Sequence, residues 1–209
     1  MEHDQGHSRR RFIGGAAAAA AAAVWTPAFR IPAAQAAGTA PPRFPAGIDC
    51  YRQAFVNWSR AIRVDDLWTC APRNAREALA VANWARAHRY RVRPRGHMHN
   101  WSPLTIVPGP SAARRVVLLD TTQHLTGVAM ASATTVRAQA GASMESVLTL
   151  LEQHGLGLTA TPAPGDITIA GALAIGGHGT AVPARGERRT KGHTFGSCSN
   201  LVTSINVVA

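Results

Sequence analysis

Glycine, alanine and other small residues dominate a stretch near the carboxyl-terminal end, and this limits what the chain can build there. Residues 162–180 read Pro-Ala-Pro-Gly-Asp-Ile-Thr-Ile-Ala-Gly-Ala-Leu-Ala-Ile-Gly-Gly-His-Gly-Thr. The segment 167–175 predicts a small-residue helix or turn, and the glycines around His178 predict a loop with little side-chain bulk. Such a loop either packs as a tight turn or binds a pyrophosphate or flat ring through its N–H groups. No G-x-G-x-x-G opens a helix here, so a nicotinamide-binding Rossmann unit is not indicated.

A second unusual segment follows a predicted strand. Residues 95–102 read Arg-Gly-His-Met-His-Asn-Trp-Ser. Gly96 lets backbone amides approach a ligand closely, and Arg95 beside it can offset phosphate charge. His97 and His99 would share one face of a strand and could also bind a metal, although no carboxylate lies nearby in sequence. Packed or solvated histidines are the remaining alternative.

The rest of the chain predicts strands and helices in α+β order. Asn74, with Glu77 three residues on, approximates a capping box, and apolar residues at helical spacing predict an amphipathic helix over 75–88. Ser143 predicts the start of a second helix that ends at Gly155. Apolar runs predict strands at 67–70, 90–94, 116–120 and 134–140. Because strands and helices do not alternate regularly, a doubly wound sheet is not indicated.

The amino terminus has the pattern of a twin-arginine export signal. Ser-Arg-Arg-Arg-Phe-Ile at 8–13 is followed by eight alanines at 16–23 and by Ala-Gln-Ala at 34–36. Glycine, proline and arginine leave the apolar run shorter than the roughly 20 residues of a membrane span. We therefore expect export through the twin-arginine translocase. The predicted division is a signal at 1–36, a linker or N-terminal extension at 37–60 and a domain at 61–209.

The formal net charge of +11 comes almost entirely from arginine, because Lys191 is the only lysine. This charge indicates an anionic partner such as nucleic acid, an acidic membrane or a phosphate-bearing cofactor. Five arginines crowd the region from 86 to 95 and favour, as one alternative, a non-enzymatic arginine-rich protein that binds anions. The chain has no aromatic-lined basic strip or known nucleic-acid motif, so we expect no nucleic-acid partner.

Together the two unusual segments resemble the flavin-binding domain of the vanillyl-alcohol-oxidase superfamily, the FAD-binding PCMH type, over most of 65–209. In that family the first loop reads Arg-Gly-x-x-His, and its histidine is joined covalently to the flavin; the matching residue here is His99. The resemblance implies a two-subdomain α+β domain that binds FAD, with 96–98 around the pyrophosphate. The FAD-binding residues that it implies are Arg95, Gly96, His97, Met98, His99, Asn100, Ser102, Pro164, Gly165, Asp166, Ile167, Gly171, Gly176, Gly177, His178 and Gly179.

Within the superfamily, residues 93–104, 165–168 and 178–183 look closest to the bacterial cholesterol oxidases with covalent FAD. The resemblance implies an exported oxidase that takes a hydride from an alcohol, such as a sterol, and passes the electrons to O₂ to give H₂O₂. Sugar-lactone and alditol oxidases share much of the pattern and are an alternative. A metal-binding protein built on His97, His99, His178 and His193 is another, although we expect no metal.

Members of this family are considerably longer than 209 residues. The resemblance therefore implies a domain that is incomplete at its carboxyl-terminal end, where residues 195–197 lead to a predicted strand at 201–208. It also implies that the substrate domain, which supplies the general base, is missing. We accordingly identify no catalytic residue from the sequence and expect the 209 residues alone to be inactive.

Overall fold

The computed structural model describes residues 40–109, 111–180, 184–186 and 196–208. The predicted export signal at 1–36 lies outside these residues, and so does His193 of the alternative metal group. None of the helices described is long and apolar enough to cross a membrane.

A mixed sheet of four strands organises the first half of the described chain. The strands are β1 (Asp49–Val56), β2 (Arg63–Ala71), β3 (Arg91–Arg95) and β4 (Val116–Asp120). They lie in the order β1-β2-β4-β3; β1 and β2 are antiparallel, and the other two pairs are parallel. β4 has the bounds that the sequence predicts, and β3 is shifted by one residue. β1 lies in the predicted linker or extension, and its irregular pattern of apolar residues gave no strand signal; pairing with β2 forms it.

Helix α1 (Ala75–His88) covers one face of this sheet, and its predicted bounds are confirmed. The Asn74 side chain accepts a hydrogen bond from the Glu77 N–H, as expected of an N-cap. Arg89 follows the helix as its C-cap and adopts the left-handed conformation with φ +59°. The core on this face consists of Cys70, Val81, Trp84, Ala85 and Val117.

A second cluster buries the opposite face of the same sheet. Val116 and Leu118 of β4 point into this second cluster. They alternate with Val117 and Leu119, which face α1. Burial on both faces explains why β4 is a continuous apolar run without alternation. The cluster consists of Phe55, Ile62, Val64, Leu67, Ile106, Val116 and Leu118, with Met98 packed against it.

Shorter elements form the second half. They are the antiparallel hairpin of β5 (Val128–Ser132) and β6 (Thr135–Ala138), helices α2 (Met144–Gln153) and α3 (Ile169–Ala174), and a 3₁₀ turn at Cys198–Leu201. Met144, Ala172 and Cys198 form the core that joins the two helices to the turn. The mixed content agrees with the predicted α+β class. Thr168 caps α3 by accepting a hydrogen bond from the Gly171 N–H, so the small-residue segment does form a short helix.

The predicted strand at 201–208 is wrong. Residues 202–208 form no strand, and Ile205 and Val207 are exposed. A strand needs a hydrogen-bonded neighbour, and no described segment pairs with these residues. An alternating apolar pattern does not by itself supply that partner.

Gly141 joins the two halves at a position where no side chain fits. A Cβ there would overlap the carbonyl oxygen of Thr121 and lie 2.9 Å from that of Leu125. We expect Gly141→Ala to lower the free energy of unfolding by about 3 kcal/mol. Gly157→Ala is the matched control, because a Cβ at Gly157 would meet nothing within 4 Å. Urea unfolding measures both, and equal losses in the two variants would contradict the packing argument.

Candidate cofactor-binding site

The fold brings the two unusual segments of the sequence together. The loop after β3 lies against the residues that lead into α3, and a Cβ on Gly96 would overlap Oγ1 of Thr168. Nδ1 of His97 contacts the backbone carbonyl oxygen of Asp166. Nε2 of His99 lies 3.0 Å from Oδ1 of the same aspartate. Glycine at 96 is therefore what allows the loops to meet, and Asp166 is where they join.

The loop from Gly96 to Ser102 presents backbone donors without internal acceptors. No described residue accepts a hydrogen bond from any of its seven backbone N–H groups. Two of its carbonyl groups are held by neighbouring residues: Met98 O accepts from the Trp58 N–H at 3.0 Å, and Asn100 O from Nδ2 of Asn57 at 2.9 Å. Met98 has φ +61°, and left-handed residues of this kind turn successive N–H groups toward one point. The loop is therefore suited to bind an anion such as a pyrophosphate.

Asn57 and Trp58 also belong to this site, although no motif in the sequence marks them. Asn57 is buried; its Oδ1 accepts from the Ile62 N–H at 2.9 Å, and its Nδ2 reaches the loop at Asn100. Both residues directly follow β1, in the segment that was predicted to be a linker or extension. The same Asn-Trp pair also occurs at 83–84 and 100–101, so the pair by itself did not indicate a role.

The structure gives Arg95 a partner other than the one that the sequence predicts. Its guanidinium forms a buried ion pair with Asp120, its register partner at the end of the neighbouring parallel strand. Asp120 also accepts hydrogen bonds from the Thr122 N–H at 2.9 Å and the Tyr51 hydroxyl at 3.3 Å. A buried carboxylate is stabilised by such partners. Its negative charge in turn offsets the positive charge of Arg95 within the protein. The pair fixes the start of the loop, whereas Nε of Arg95 is buried without a partner among the described residues, so its predicted contact with FAD stays a prediction.

The negative charge of Asp120 also acts on its neighbour Tyr51. Burial, and then the nearby carboxylate, raise the pKa of the Tyr51 hydroxyl above its usual value. The hydroxyl therefore stays protonated at neutral pH and remains a donor to Asp120. This contact ties β1 to the same ion pair.

Aromatic rings lie beside the loop. Trp58 stacks on His99 with ring centroids 6.1 Å apart and an interplanar angle of 12°. Trp101 meets Trp58 edge-on at 4.4 Å and is itself 76% exposed. The buried Oδ1 of Asn100 has no partner among the described residues. An acceptor of this kind suits a hydroxyl or ring N–H of a bound molecule and cannot serve a phosphate oxygen.

The glycine loop at 176–179 is explained largely by packing. A Cβ on Gly177 would lie 2.8 Å from the carbonyl oxygen of Ala172, and one on Gly179 would overlap that of Thr161. Cys198 N–H donates to the Gly177 carbonyl at 2.8 Å. His178 is exposed, with its Nδ1 3.0 Å from the carbonyl oxygen of Gly179. The tight-turn alternative thus accounts for Gly177 and Gly179, and the FAD contacts predicted for this loop stay predictions.

The remaining predicted site residues lie around the junction of the loops. Gly165 O and Ile167 O accept hydrogen bonds from the first N–H groups of α2, each at 2.9 Å. Pro164 and Asp166 are exposed beside them, and Gly171 lies in the first turn of α3. Within the described part of the chain, no group of three or more histidine, cysteine or acidic side chains could hold a metal ion.

The sequence profile of the FAD binding domain family matches residues 68–207. The chain belongs to this family. This confirms the resemblance to the vanillyl-alcohol-oxidase superfamily and assigns FAD as the cofactor. The donor set fits FAD: N–H groups for the diphosphate, an orphaned buried acceptor on Asn100 for a hydroxyl or ring N–H, and aromatic rings beside them.

Solved structures give the same family. A cholesterol oxidase from Brevibacterium sterolicum is 47% identical with a TM-score of 0.73, and a histidine-to-alanine mutant of a cholesterol oxidase from that organism is 46% identical with a TM-score of 0.72. A solvent-stable cholesterol oxidase is 58% identical with a TM-score of 0.72. Each match covers 78% of this chain but only 30–31% of the other chain. The comparison with curated proteins found no match.

The ion pair that fixes the loop provides a stability test. We expect Asp120→Ala to lower the free energy of unfolding by about 3–5 kcal/mol, because it leaves the charge of Arg95 buried and unpaired. Asp65→Ala is the control: it removes an exposed pair with Arg63 at 2.7 Å, which contributes about 1 kcal/mol at most. The double variant Arg95→Leu/Asp120→Leu should lose less than Asp120→Ala, since no unpaired charge remains. Equal losses for Asp120→Ala and Asp65→Ala would refute the assignment.

Proposed function

We propose that this chain is the FAD-binding portion of an exported flavoprotein oxidase that oxidises an alcohol, in particular a sterol, with O₂ to give H₂O₂. The observation that carries the proposal is the 46–58% identity with cholesterol oxidases over 78% of the chain. Sterol as the substrate class follows from the names of those proteins and from the loop residues noted above. FAD, when bound, supplies the acceptor for the electron pair of the alcohol.

The described residues have binding and orienting tasks in this function. The N–H groups from Gly96 to Ser102 bind the diphosphate, and the Arg95–Asp120 pair holds the first of them in place. The exposed Arg91 and Arg93 lie on β3, an edge strand of the sheet. Charged residues at such an edge oppose pairing with other strands, so these arginines need no nucleic-acid partner. We propose none.

Export through the twin-arginine translocase is part of the proposal and depends on the pattern at 1–36. That route carries folded proteins, and so a cofactor can be bound before export. A covalent bond to the cofactor would then prevent its loss outside the cell.

We further propose that FAD is attached through His99. Its Nε2 lies against Asp166, whereas Nδ1 of His97 is engaged by a backbone carbonyl. The full chain carrying His99→Ala is expected to bind FAD that acid precipitation releases completely. The protein carrying His97→Ala, the matched control two residues away, is expected to retain FAD in the acid pellet. If His99→Ala retained FAD in acid and His97→Ala lost it, the linkage would lie on His97 and the proposal would be wrong.

Catalytic turnover by the 209-residue chain alone is not expected. A general base must lie within about 3–3.5 Å of the reacting atoms, and the described carboxylates near the loop, Asp120 and Asp166, already have partners. The FAD-loaded chain, mixed with cholesterol or with a polyol, should release no more H₂O₂ than free FAD. Turnover with cholesterol would show that the chain holds a complete active site. Turnover with the polyol alone would instead favour the sugar-lactone and alditol oxidases.

A further inference from the structure

We propose that Asp166 is a positioning residue for the attachment of FAD: its carboxylate holds the Nε2–H of His99 and thereby presents Nδ1 as the nucleophile. This inference depends on the linkage proposed above. It concerns a residue outside the Arg-Gly-x-x-His loop, about 70 positions along the chain, which the fold brings to the histidine.

The carboxylate is held in place although its side chain is largely exposed. The carbonyl of Asp166 itself contacts Nδ1 of His97. The carbonyl before it, on Gly165, accepts from the Glu145 N–H, and the one after it, on Ile167, accepts from the Met144 N–H, both at 2.9 Å. Three consecutive carbonyl groups are thus anchored. The backbone that carries the Asp166 side chain has a fixed direction relative to His99.

The imidazole is constrained from two directions. Nε2 of His99 lies 3.0 Å from Oδ1 of Asp166, and the ring lies nearly parallel to that of Trp58, with an angle of 12° between them. Stacking limits how far the ring tilts, and the hydrogen bond determines how it rotates about χ2. The histidine therefore has one edge assigned to Asp166 and the opposite edge left for another group.

The carboxylate also determines the tautomer. The hydrogen bond with His99 is the main cause that lowers the pKa of Asp166 from its usual value, so Asp166 is ionised at neutral pH and can only accept. In the neutral imidazole the proton then resides on Nε2, and the lone pair resides on Nδ1. Carboxylates orient metal-binding histidines in the same way.

The attachment step balances with O₂ as the oxidant. Nδ1 of His99 forms a bond to the methyl carbon of the flavin ring, and one C–H bond of that methyl breaks. The methyl proton and the Nε2 proton are released, the latter beside Asp166. O₂ takes up these two protons and the electron pair and leaves as H₂O₂.

The experiment compares Asp166→Ala and Asp166→Asn with the unchanged full chain. Each protein is incubated with FAD in air, and the flavin that survives acid precipitation is followed over time. We expect Asp166→Ala to slow attachment by about tenfold or more, the scale on which orienting partners of functional histidines act. Asp166→Asn should recover part of the rate, because its amide oxygen still accepts a hydrogen bond. Asp65→Asn, an exposed carboxylate paired with Arg63, is the control and should match the unchanged chain.

A second measurement separates positioning from a general loss of structure. Nitrogen-15 NMR of the histidine rings, without FAD, should show His99 protonated on Nε2 in the unchanged chain and a mixture of tautomers in Asp166→Ala. The urea midpoint of unfolding, measured without FAD, should be nearly the same for Asp166→Ala and the unchanged chain, because the Asp166 side chain is largely exposed. Attachment by Asp166→Ala at the normal rate, or an unchanged His99 tautomer, would overturn the role of Asp166. An unchanged chain that never retains FAD in acid would instead overturn the linkage itself.

Discussion

The buried ion pair between Arg95 and Asp120 is the interaction on which the site depends. The two residues end neighbouring parallel strands in register, so their pairing fixes the point where both strands give way to loops. Thr121, the residue after Asp120, donates to the Arg95 carbonyl through its N–H and its hydroxyl, each at 3.1 Å. Gly96 and the donor loop begin directly after that carbonyl. The direction in which the loop leaves the sheet therefore follows from the pair.

In this arrangement the net positive charge of the chain and the groups suited to bind an anion are different parts of the molecule. A net charge of +11 suggests arginine side chains as phosphate ligands, yet the arginine beside the loop is neutralised by Asp120. In the proposed site the backbone N–H groups are the main donors to the diphosphate, and their partial charges need no buried counter-charge when the site is empty. An unpaired guanidinium at the same place would carry a large desolvation cost in the protein without its cofactor.

Local signals in the sequence predicted the fold where they were strong. The cap at Asn74 and the helical spacing gave α1 its bounds, and the continuous apolar run gave β4, because both depend on a few adjacent residues. β1 and the residues 202–208 were missed or misassigned because strands depend on a partner far away in sequence. The candidate site divides in the same way: the two loops were found from their motifs, whereas the contribution of Asn57 and the Arg95–Asp120 pairing require the folded sheet.

The convergence of distant segments bears on the order of events in the proposed export. Asn57 and Trp58, the loop at 96–102 and Asp166 come from three parts of the chain, and each supplies a different group. In an unfolded chain the N–H groups of the loop are hydrated, and nothing aligns His99 with Asp166. Diphosphate binding and attachment therefore both require the tertiary structure first. A transport route for unfolded chains would deliver the protein before its site exists, whereas the folded route that we propose delivers it with the cofactor in place.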